Sequence, residues 1–293
     1  MKAGLFFDIN AKMTSRIPPL LEPYLALPPE ASLILLTGVL GASTNWLVLR
    51  YLHSTLLRQD GLSEITHQSE DKVLLISFMR DFAFWKENGR RLGIDFDKLV
   101  TKKRFAFLDG LTGLFLKAPQ KPSSTKGGGV VLSKSDLASV HEEIRQALES
   151  LKGREDAEDK VLLVVDQIDL LLAAGGDGIT ANRLIEMLMG LREHVYAIVV
   201  TLYADYPLLG SHQTPLETDH AALLLSLAHQ ADFTMSLRLL DSGTARDVSG
   251  VVRITVGDHA AEDVQGLHKR IEERELLYFV GGDGGVKVFE RGQ

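Results

Sequence analysis

The sequence contains no cysteine, which excludes a disulfide framework, a thiolate metal site and a cysteine nucleophile. It also lacks any run near the ~18 consecutive apolar residues that a membrane-spanning helix needs. The N-terminus has only a short apolar run before Asp8, which argues against a signal peptide. These absences predict a protein of the cytoplasm or nucleus without membrane contact.

Motifs of familiar hydrolases are missing as well. His141-Glu142-Glu143 is followed by Arg145 where a zinc-binding His-Glu-x-x-His helix would place its second histidine. Residues 41–45 read Gly-Ala-Ser-Thr-Asn, so they lack the final glycine of a Gly-x-Ser-x-Gly nucleophile turn. The sequence therefore predicts no catalytic residue, no metal site and no cofactor.

Excess positive charge is absent from the chain as a whole, whose formal net charge is −7. This argues against a nucleic-acid binder that acts alone, since such affinity comes mainly from Lys and Arg contacts to phosphates. Residues 86–104 differ, with seven basic residues against three acidic ones. That stretch is either a solvated helix face or an RNA contact. The candidate RNA-binding residues in it are Arg90, Arg91, Lys102, Lys103 and Arg104.

Short continuous apolar runs alternate with amphipathic stretches along the first two thirds of the chain. Such runs are typical of strands buried on both faces of a parallel sheet. The predicted strands are 32–40, 72–79, 104–111, 160–172 and 195–204, and the predicted helices are 43–59, 81–93, 134–153 and 180–194. Alternating strands and helices predict a doubly wound α/β fold with helices on both faces of a mostly parallel sheet.

The last third changes character and predicts an antiparallel extension of the same sheet. One helix, 220–233, is followed by strand-like segments, the last two joined by Gly-Gly-Asp-Gly-Gly. Residues 117–136 are rich in Lys, Pro, Ser and Gly and are predicted to be a flexible insertion, and residues 1–31 a proline-rich lead-in. We therefore expect residues 1–293 to form a single domain.

A glycine-containing corner follows the first predicted strand, where a nucleotide-binding protein keeps its phosphate loop. The pattern Gly-x-x-x-x-Gly-Lys-[Ser/Thr] would need glycine at Ser43, lysine at Thr44 and a hydroxyl at Asn45. Only Gly38 and Gly41 remain, and no lysine occurs between residues 12 and 72. The corner is therefore interpreted as a structural turn, with weak nucleotide binding through backbone N–H groups as the alternative.

Asp166 ends the apolar run 161–166, as does the aspartate of the second nucleotide motif, which holds a magnesium-bound water. Strand ends in doubly wound sheets are where ligands bind. Apolar strands that end in aspartate are nevertheless common, and the lysine of the first motif is missing. Asp166 is interpreted as a degenerate motif that caps a loop or pairs with a neighbour.

Three stretches taken together resemble the family of the sixth subunit of the Elongator complex. They are 32–52, 160–180 and the C-terminal strands within 245–257 and 273–292. No single stretch is specific, and the order of all three carries the resemblance. It covers most of the chain outside the insertion and implies a RecA-like fold without intact nucleotide motifs.

The resemblance also implies partners. Family members form a hetero-hexameric ring with the related fourth and fifth subunits, and that ring docks on the catalytic Elongator subunits, which modify the wobble uridine of transfer RNA. The ring is associated with tRNA binding, and ATP is linked to its release. The loops expected to face the pore, 173–183 and 204–216, contain only one lysine or arginine, Arg183, which is a further candidate RNA-binding residue. The proline-rich lead-in and the C-terminal hairpin are candidate ring interfaces.

Three other interpretations stay open from the residues. The chain could be an active ATPase of the RecA or KaiC type, although the missing lysine argues against it. It could be the fourth or fifth subunit of the same ring, although the compact corner and the hairpin favour the sixth. It could also be a RecA-like scaffold outside Elongator. If the corner is purely structural, Thr44→Lys alone should not create an ATPase.

Overall fold

A computed structural model of the chain describes residues 16–57, 71–115, 129–152, 159–176, 178–210, 214–241, 243, 245–257 and 271–291. These residues contain one ten-stranded sheet. Its strands are β1 Ser32–Gly38, β2 Lys72–Ser77, β3 Phe105–Asp109, β4 Val130–Val131, β5 Val161–Asp166, β6 Ala197–Tyr203, β7 Phe233–Arg238, β8 Gly250–Val256, β9 Arg274–Val280 and β10 Val286–Phe289.

The sheet is parallel over one part and antiparallel over the other. The strand order is β10-β9-β8-β7-β1-β6-β5-β2-β3-β4. From β7 to β4 all neighbours are parallel, whereas β7, β8, β9 and β10 pair antiparallel. Strands β1, β2 and β5 are buried along their whole length, as their unbroken apolar runs require. The mostly parallel α/β sheet with an antiparallel C-terminal extension is thus confirmed.

Helices cover both faces of the sheet. They are α1 Glu22–Leu25, α2 Asn45–Leu57, α3 Phe82–Arg91, α4 Phe96–Thr101, α5 Gly110–Phe115, α6 Leu137–Leu151, α7 Leu170–Ala174, α8 Ala181–Arg192, α9 Tyr206–Gly210 and α10 Pro215–Gln230. One apolar core joins α1, α2, α3 and α4 to the sheet, and the other joins α6, α7, α8 and α10 to the opposite face. None of the helices described here is long and apolar enough to span a bilayer.

Side-chain caps define where five of these helices begin. Asp81, Asp95, Asp136, Thr180 and Thr214 each accept a hydrogen bond from a backbone N–H of the first helical turn. At Thr214 the bond is reciprocal, because the carboxylate three residues later accepts from the Thr214 N–H. These caps satisfy donors that a helix leaves unpaired at its start.

The described part of the lead-in, residues 16–31, packs into the core, and residues 1–15 lie outside the described residues. A 3-10 helix, Pro19–Leu21, turns directly into α1, and the side chains of Leu21 and Leu25 are fully buried. Tyr24 Oη donates to the carbonyl of Glu272 at 2.8 Å, which ties α1 to the start of β9. Pro19 and Pro23 lie in the first turns of these two helices, where the missing N–H removes no hydrogen bond within the helix.

The C-terminal part of the predicted flexible insertion 117–136 contains a strand. Residues 116–128 lie outside the described residues, but Val130–Val131 forms β4 and extends the sheet parallel to β3. The run 160–172 is also shorter as a strand than predicted, since β5 ends at Asp166 and α7 begins at Leu170. The assignment of 1–293 to one domain stays a prediction.

Candidate functional site

The phosphate-loop corner is a tight turn. Val39 and Ala42 form an antiparallel bridge, and Ala42 N donates to Val39 O at 2.8 Å. A Cβ atom on Gly38 would lie 2.7 Å from the carbonyl oxygen of Ala42, so only glycine fits there. Gly41 has φ +89°, a conformation that glycine adopts without strain. The chain thus reverses between β1 and α2 within a few residues.

Three backbone donors of this corner already have acceptors. Leu40 N donates to Asp205 Oδ1 at 2.9 Å, Ala42 N is used within the turn, and Asn45 N contacts Ser43 Oγ at 3.2 Å. The Asp205 carboxylate is an anion beside the place where a phosphate would lie, and like charges repel. These three N–H groups are therefore not directed at a ligand, as they would be in a phosphate-binding loop.

Thr44, at the position of the missing lysine, is part of the interior. Its side chain is 1% exposed, and its hydroxyl lies 3.5 Å from Gln167 Nε2. Its carbonyl accepts hydrogen bonds from Leu47 N and Val48 N and so begins α2. The residue connects the corner to the loop after β5 and has no access to a ligand.

Asp166 is fully buried among hydroxyl groups of the neighbouring strands. Ser77 Oγ on β2 donates to Oδ2 at 2.7 Å, and Thr201 Oγ1 on β6 donates to Oδ1 at 3.1 Å. Burial raises the pKa of Asp166 to about 6, while these two hydrogen bonds act in the opposite direction. Both carboxylate oxygens are thus occupied by protein donors, which favours the interpretation of Asp166 as a pairing residue.

Removing the Asp166 charge should change how stability depends on pH. The folded pKa of about 6 exceeds the reference value of 3.8, so between these values the folded chain keeps a proton that the unfolded chain loses. Stability from this group therefore falls as pH rises through that window, by roughly 3 kcal/mol in total. We therefore expect the unfolding free energy of Asp166→Asn, relative to that of wild type, to increase between pH 4.5 and pH 7.5.

Urea titrations of the isolated chain at the two pH values measure this difference, and pairing with wild type at each pH cancels other titrating groups. A Ser77→Ala chain is the control, since it keeps the buried carboxylate and loses one donor. A difference between Asp166→Asn and wild type that is constant with pH would contradict the assignment.

Gln167 has no counterpart among the sequence predictions. It is 3% exposed and has φ +57°, an uncommon conformation for this residue type. Its backbone N–H donates to Thr201 Oγ1 at 2.9 Å, and Nε2 lies 3.2 Å from the same oxygen. Gln167 thus joins the ends of β5 and β6 to Thr44 of the corner, an arrangement that residue types and spacing did not indicate.

A second buried polar group lies beside the first. Asp169 Oδ2 accepts from Tyr203 N at 3.2 Å, and His220 Nε2 lies 2.8 Å from Tyr203 O. Burial raises the pKa of Asp169. These contacts fix α10 to the end of β6. Within the described ranges, no group of three or more His, Asp or Glu residues could hold a metal ion.

Of the five candidate RNA-binding residues within 86–104, four are exposed and one is buried. Arg90, Arg91, Lys102 and Lys103 lie at the surface, with Arg91 Nη2 paired to Glu87 at 2.9 Å. Arg104 is 6% exposed and donates to the carbonyl of Asp71 at 3.4 Å. Its burial removes Arg104 from the set that could reach an RNA backbone.

Arg183 lies apart from these residues. It is exposed in the first turn of α8, and its Nη1 donates to Gly178 O at 2.6 Å. Helix α8 packs on one face of the sheet and α3 on the other. Arg183 and the pair Arg90 and Arg91 therefore do not form one continuous basic surface.

Three exposed apolar side chains lie just beyond the carboxyl ends of three adjacent parallel strands. Leu40, Tyr206 and Leu239 come after β1, β6 and β7 and are 83%, 82% and 45% exposed. A Cβ atom on Gly41 would lie 3.4 Å from Leu239 Cδ1, which places Leu239 against the corner. We call these three residues the carboxyl-edge patch. Large exposed apolar side chains gathered in one place are typical of interaction surfaces.

Comparison with solved structures supports the fold and goes no further. The chain is similar to a KaiC-like protein from the hyperthermophilic archaeon Pyrococcus horikoshii, with a TM-score of 0.56 and 13% identity over 94% of this chain and 97% of that one. KaiC-like proteins have a RecA-type fold. At this identity the likeness says nothing about activity.

Comparison with protein families decides the identity of the family. The model described as "Elongation complex protein 6" matches residues 64–274. The chain belongs to this family. It is also 25% identical over 270 residues to the Elongator complex protein 6 homolog of Schizosaccharomyces pombe, covering 91% of this chain and 94% of that protein.

Elongator complex protein 6 of Xenopus laevis is a more distant relative, 21% identical over 266 residues, covering 84% of this chain and 96% of that protein. The resemblance drawn from the sequence is confirmed. Both relatives carry the name of the Elongator complex, and the chain belongs to the same protein family. In this member of the family, the backbone N–H groups of Leu40, Ala42 and Asn45 in the corner all form hydrogen bonds within the chain.

Proposed function

We propose that this chain is a non-catalytic structural subunit of a hetero-hexameric RecA-like ring, formed with the fourth and fifth Elongator subunits. The ring docks on the catalytic Elongator subcomplex and supports tRNA binding and modification of the wobble uridine. In this proposal the chain carries no chemistry of its own. It works in the cytoplasm or nucleus.

The observation that carries the proposal is the closed corner between β1 and α2. The Asp205 carboxylate accepts a hydrogen bond from the Leu40 N–H. The buried Thr44 stands where a phosphate loop has the lysine that contacts terminal phosphates. Both carboxylate oxygens of Asp166 accept hydroxyl hydrogen bonds from within the chain. These contacts favour a structural subunit over an active ATPase, because phosphoryl transfer depends on a positioned lysine and a metal ion.

The carboxyl-edge patch supports ring contact at this edge. A ring needs two different faces on each subunit, head to tail. The lead-in is a weaker candidate than its sequence suggests, because Leu21 and Leu25 are buried within the chain itself. The patch instead presents Leu40 and Tyr206 outward, and an apolar partner surface would remove both from water.

RNA contact is proposed for the exposed residues Arg90, Arg91, Lys102 and Lys103. Their charges would act on the phosphate backbone, as part of a surface completed by other subunits. Arg183 lies on the other face of the sheet and would contribute separately. A net charge of −7 is consistent with weak RNA binding by the isolated chain.

Purification from the source cells under gentle conditions tests the proposal. Native mass measurement with peptide identification should find a particle of about six RecA-sized chains, containing two related partners and larger Elongator subunits. A lone monomer would contradict it. A complex that lacks those partners would indicate the remaining alternative, a RecA-like scaffold that acts elsewhere.

A further inference from the structure

A cleft of about 330 Å³ opens between α2, α3 and the loop that joins β9 to β10. Its volume is at the lower end of the range for small-molecule sites. Gly41, Ser43 and Asn45 of the corner contribute to its lining, together with residues of α2, α3 and the C-terminal strands. The lining residues used in the argument are Ser43, Trp46, Arg50, Arg91, Ser249 and Tyr278.

Two arginines line this cleft, and both lie near Gly284. Arg50 Nη2 on α2 donates to the carbonyl of Gly284 at 2.9 Å. A Cβ atom on Gly284 would lie 3.7 Å from Arg91 Cδ on α3. The tip of the hairpin thus brings together guanidinium-bearing side chains from two different helices. The lining among the described residues includes both arginines and no Asp or Glu.

Arg50 and Trp46 are buried donors that lack acceptors. Arg50 is 2% exposed and Trp46 is 8% exposed. Within the part of the chain that the structure describes, Arg50 Nε and Trp46 Nε1 have no hydrogen-bond partner. Burial lowers the pKa of Arg50 to about 10, so it remains charged at neutral pH. A buried cation with few acceptors is unfavourable unless an anion joins it.

The hydroxyl groups of the cleft add further donors. Ser43 Oγ accepts from Asn45 N, and Ser249 Oγ accepts from Val280 N at 2.9 Å. Each accepting hydroxyl still has its hydrogen to donate. The walls are partly aromatic, with the rings of Trp46 and Tyr278 at 5.1 Å between centroids. The cleft combines positive charge, hydroxyl donors and an aromatic wall.

We propose that this cleft binds a phosphomonoester, with Arg50 and Arg91 pairing to its phosphate and an apolar or aromatic ester group against Trp46 and Tyr278. A phosphomonoester carries close to two negative charges at neutral pH and three acceptor oxygens, which match two guanidinium groups better than a carboxylate does. The site is formed within one chain, so it does not depend on ring assembly.

Titration of the purified full chain with phenyl phosphate tests the site. One of the two tryptophans lines the cleft and the other, Trp85, is fully buried, so intrinsic fluorescence should report binding and calorimetry should confirm it. We expect saturation with a Kd of about 1 mM or tighter. Inorganic phosphate and benzoate should bind more weakly, and AMP in parallel shows whether a nucleotide is an acceptable ester.

Matched variants on α3 identify the residues. Arg91→Gln should weaken phenyl phosphate binding about tenfold, whereas Arg90→Gln, its exposed neighbour outside the cleft, should change it less than about twofold. Glu87→Gln removes the carboxylate paired with Arg91 and should tighten binding. These surface variants avoid the risk that a change at the buried Arg50 disturbs folding.

Three results would overturn the proposal. The first is no saturable signal below about 10 mM phenyl phosphate. The second is equal binding by the Arg91→Gln and Arg90→Gln chains. The third is benzoate binding as tightly as phenyl phosphate, which would show that the cleft does not select the phosphate group.

Discussion

Thr44→Lys should destabilise the chain by about 2–4 kcal/mol and produce no ATP hydrolysis. The side chain of Thr44 is 1% exposed, and its Cγ2 lies 3.4 Å from where a Cβ on Gly38 would be. A lysine at this position adds length to a packed site and introduces a charge into the interior. A lysine at this one position therefore does not restore a phosphate loop, because the N–H groups of Leu40, Ala42 and Asn45 already have acceptors.

Urea denaturation and a phosphate-release assay on the purified chain measure both effects. Thr44→Val is the matched control, because it keeps the branched shape and removes only a long contact to Gln167, whose Nε2 also contacts Thr201 at 3.2 Å. We expect that control to lose less than about 1 kcal/mol. Robust ATP turnover by the lysine variant would show that the corner still accepts a phosphate.

The fold was predictable because local patterns and burial agree. Strands such as 161–166 are continuous apolar runs, and the structure buries them on both faces. The lead-in was less predictable, since a proline-rich segment reads as a linker while Leu21 and Leu25 pack against the core. Strand β4 was missed because two residues carry no periodicity.

The candidate site was only partly predictable. Missing motif residues at Ser43 and Thr44 are visible in the sequence, but the acceptors that close the corner come from far along the chain. Asp205 is 165 residues from Leu40, and Thr201 is 35 residues from Asp166. Such partners depend on strand order, which one sequence does not reveal. Charge patterns likewise gave no indication that Arg104 is buried.

The Leu40→Ser and Tyr206→Ser double variant should weaken ring assembly by at least about 30-fold while the isolated chain stays folded. The two side chains are 83% and 82% exposed, so truncating them removes little packing within the chain. In the ring proposed above, both would be buried against a neighbour, where large apolar and aromatic groups contribute most of the binding free energy. Serine adds no charge beside Asp205, whose carboxylate accepts from Leu40 N.

Co-expression with the fourth and fifth subunits, followed by native mass measurement across a dilution series, gives the assembly constant. Leu225→Ser is the matched control, since Leu225 is an exposed leucine (58%) on α10 that is not one of the three patch residues. Equal urea midpoints for all three isolated chains establish that folding is unaffected. If the double variant assembles as tightly as the Leu225→Ser chain, the carboxyl-edge patch is not a ring interface, and the contact must lie on another face of the subunit.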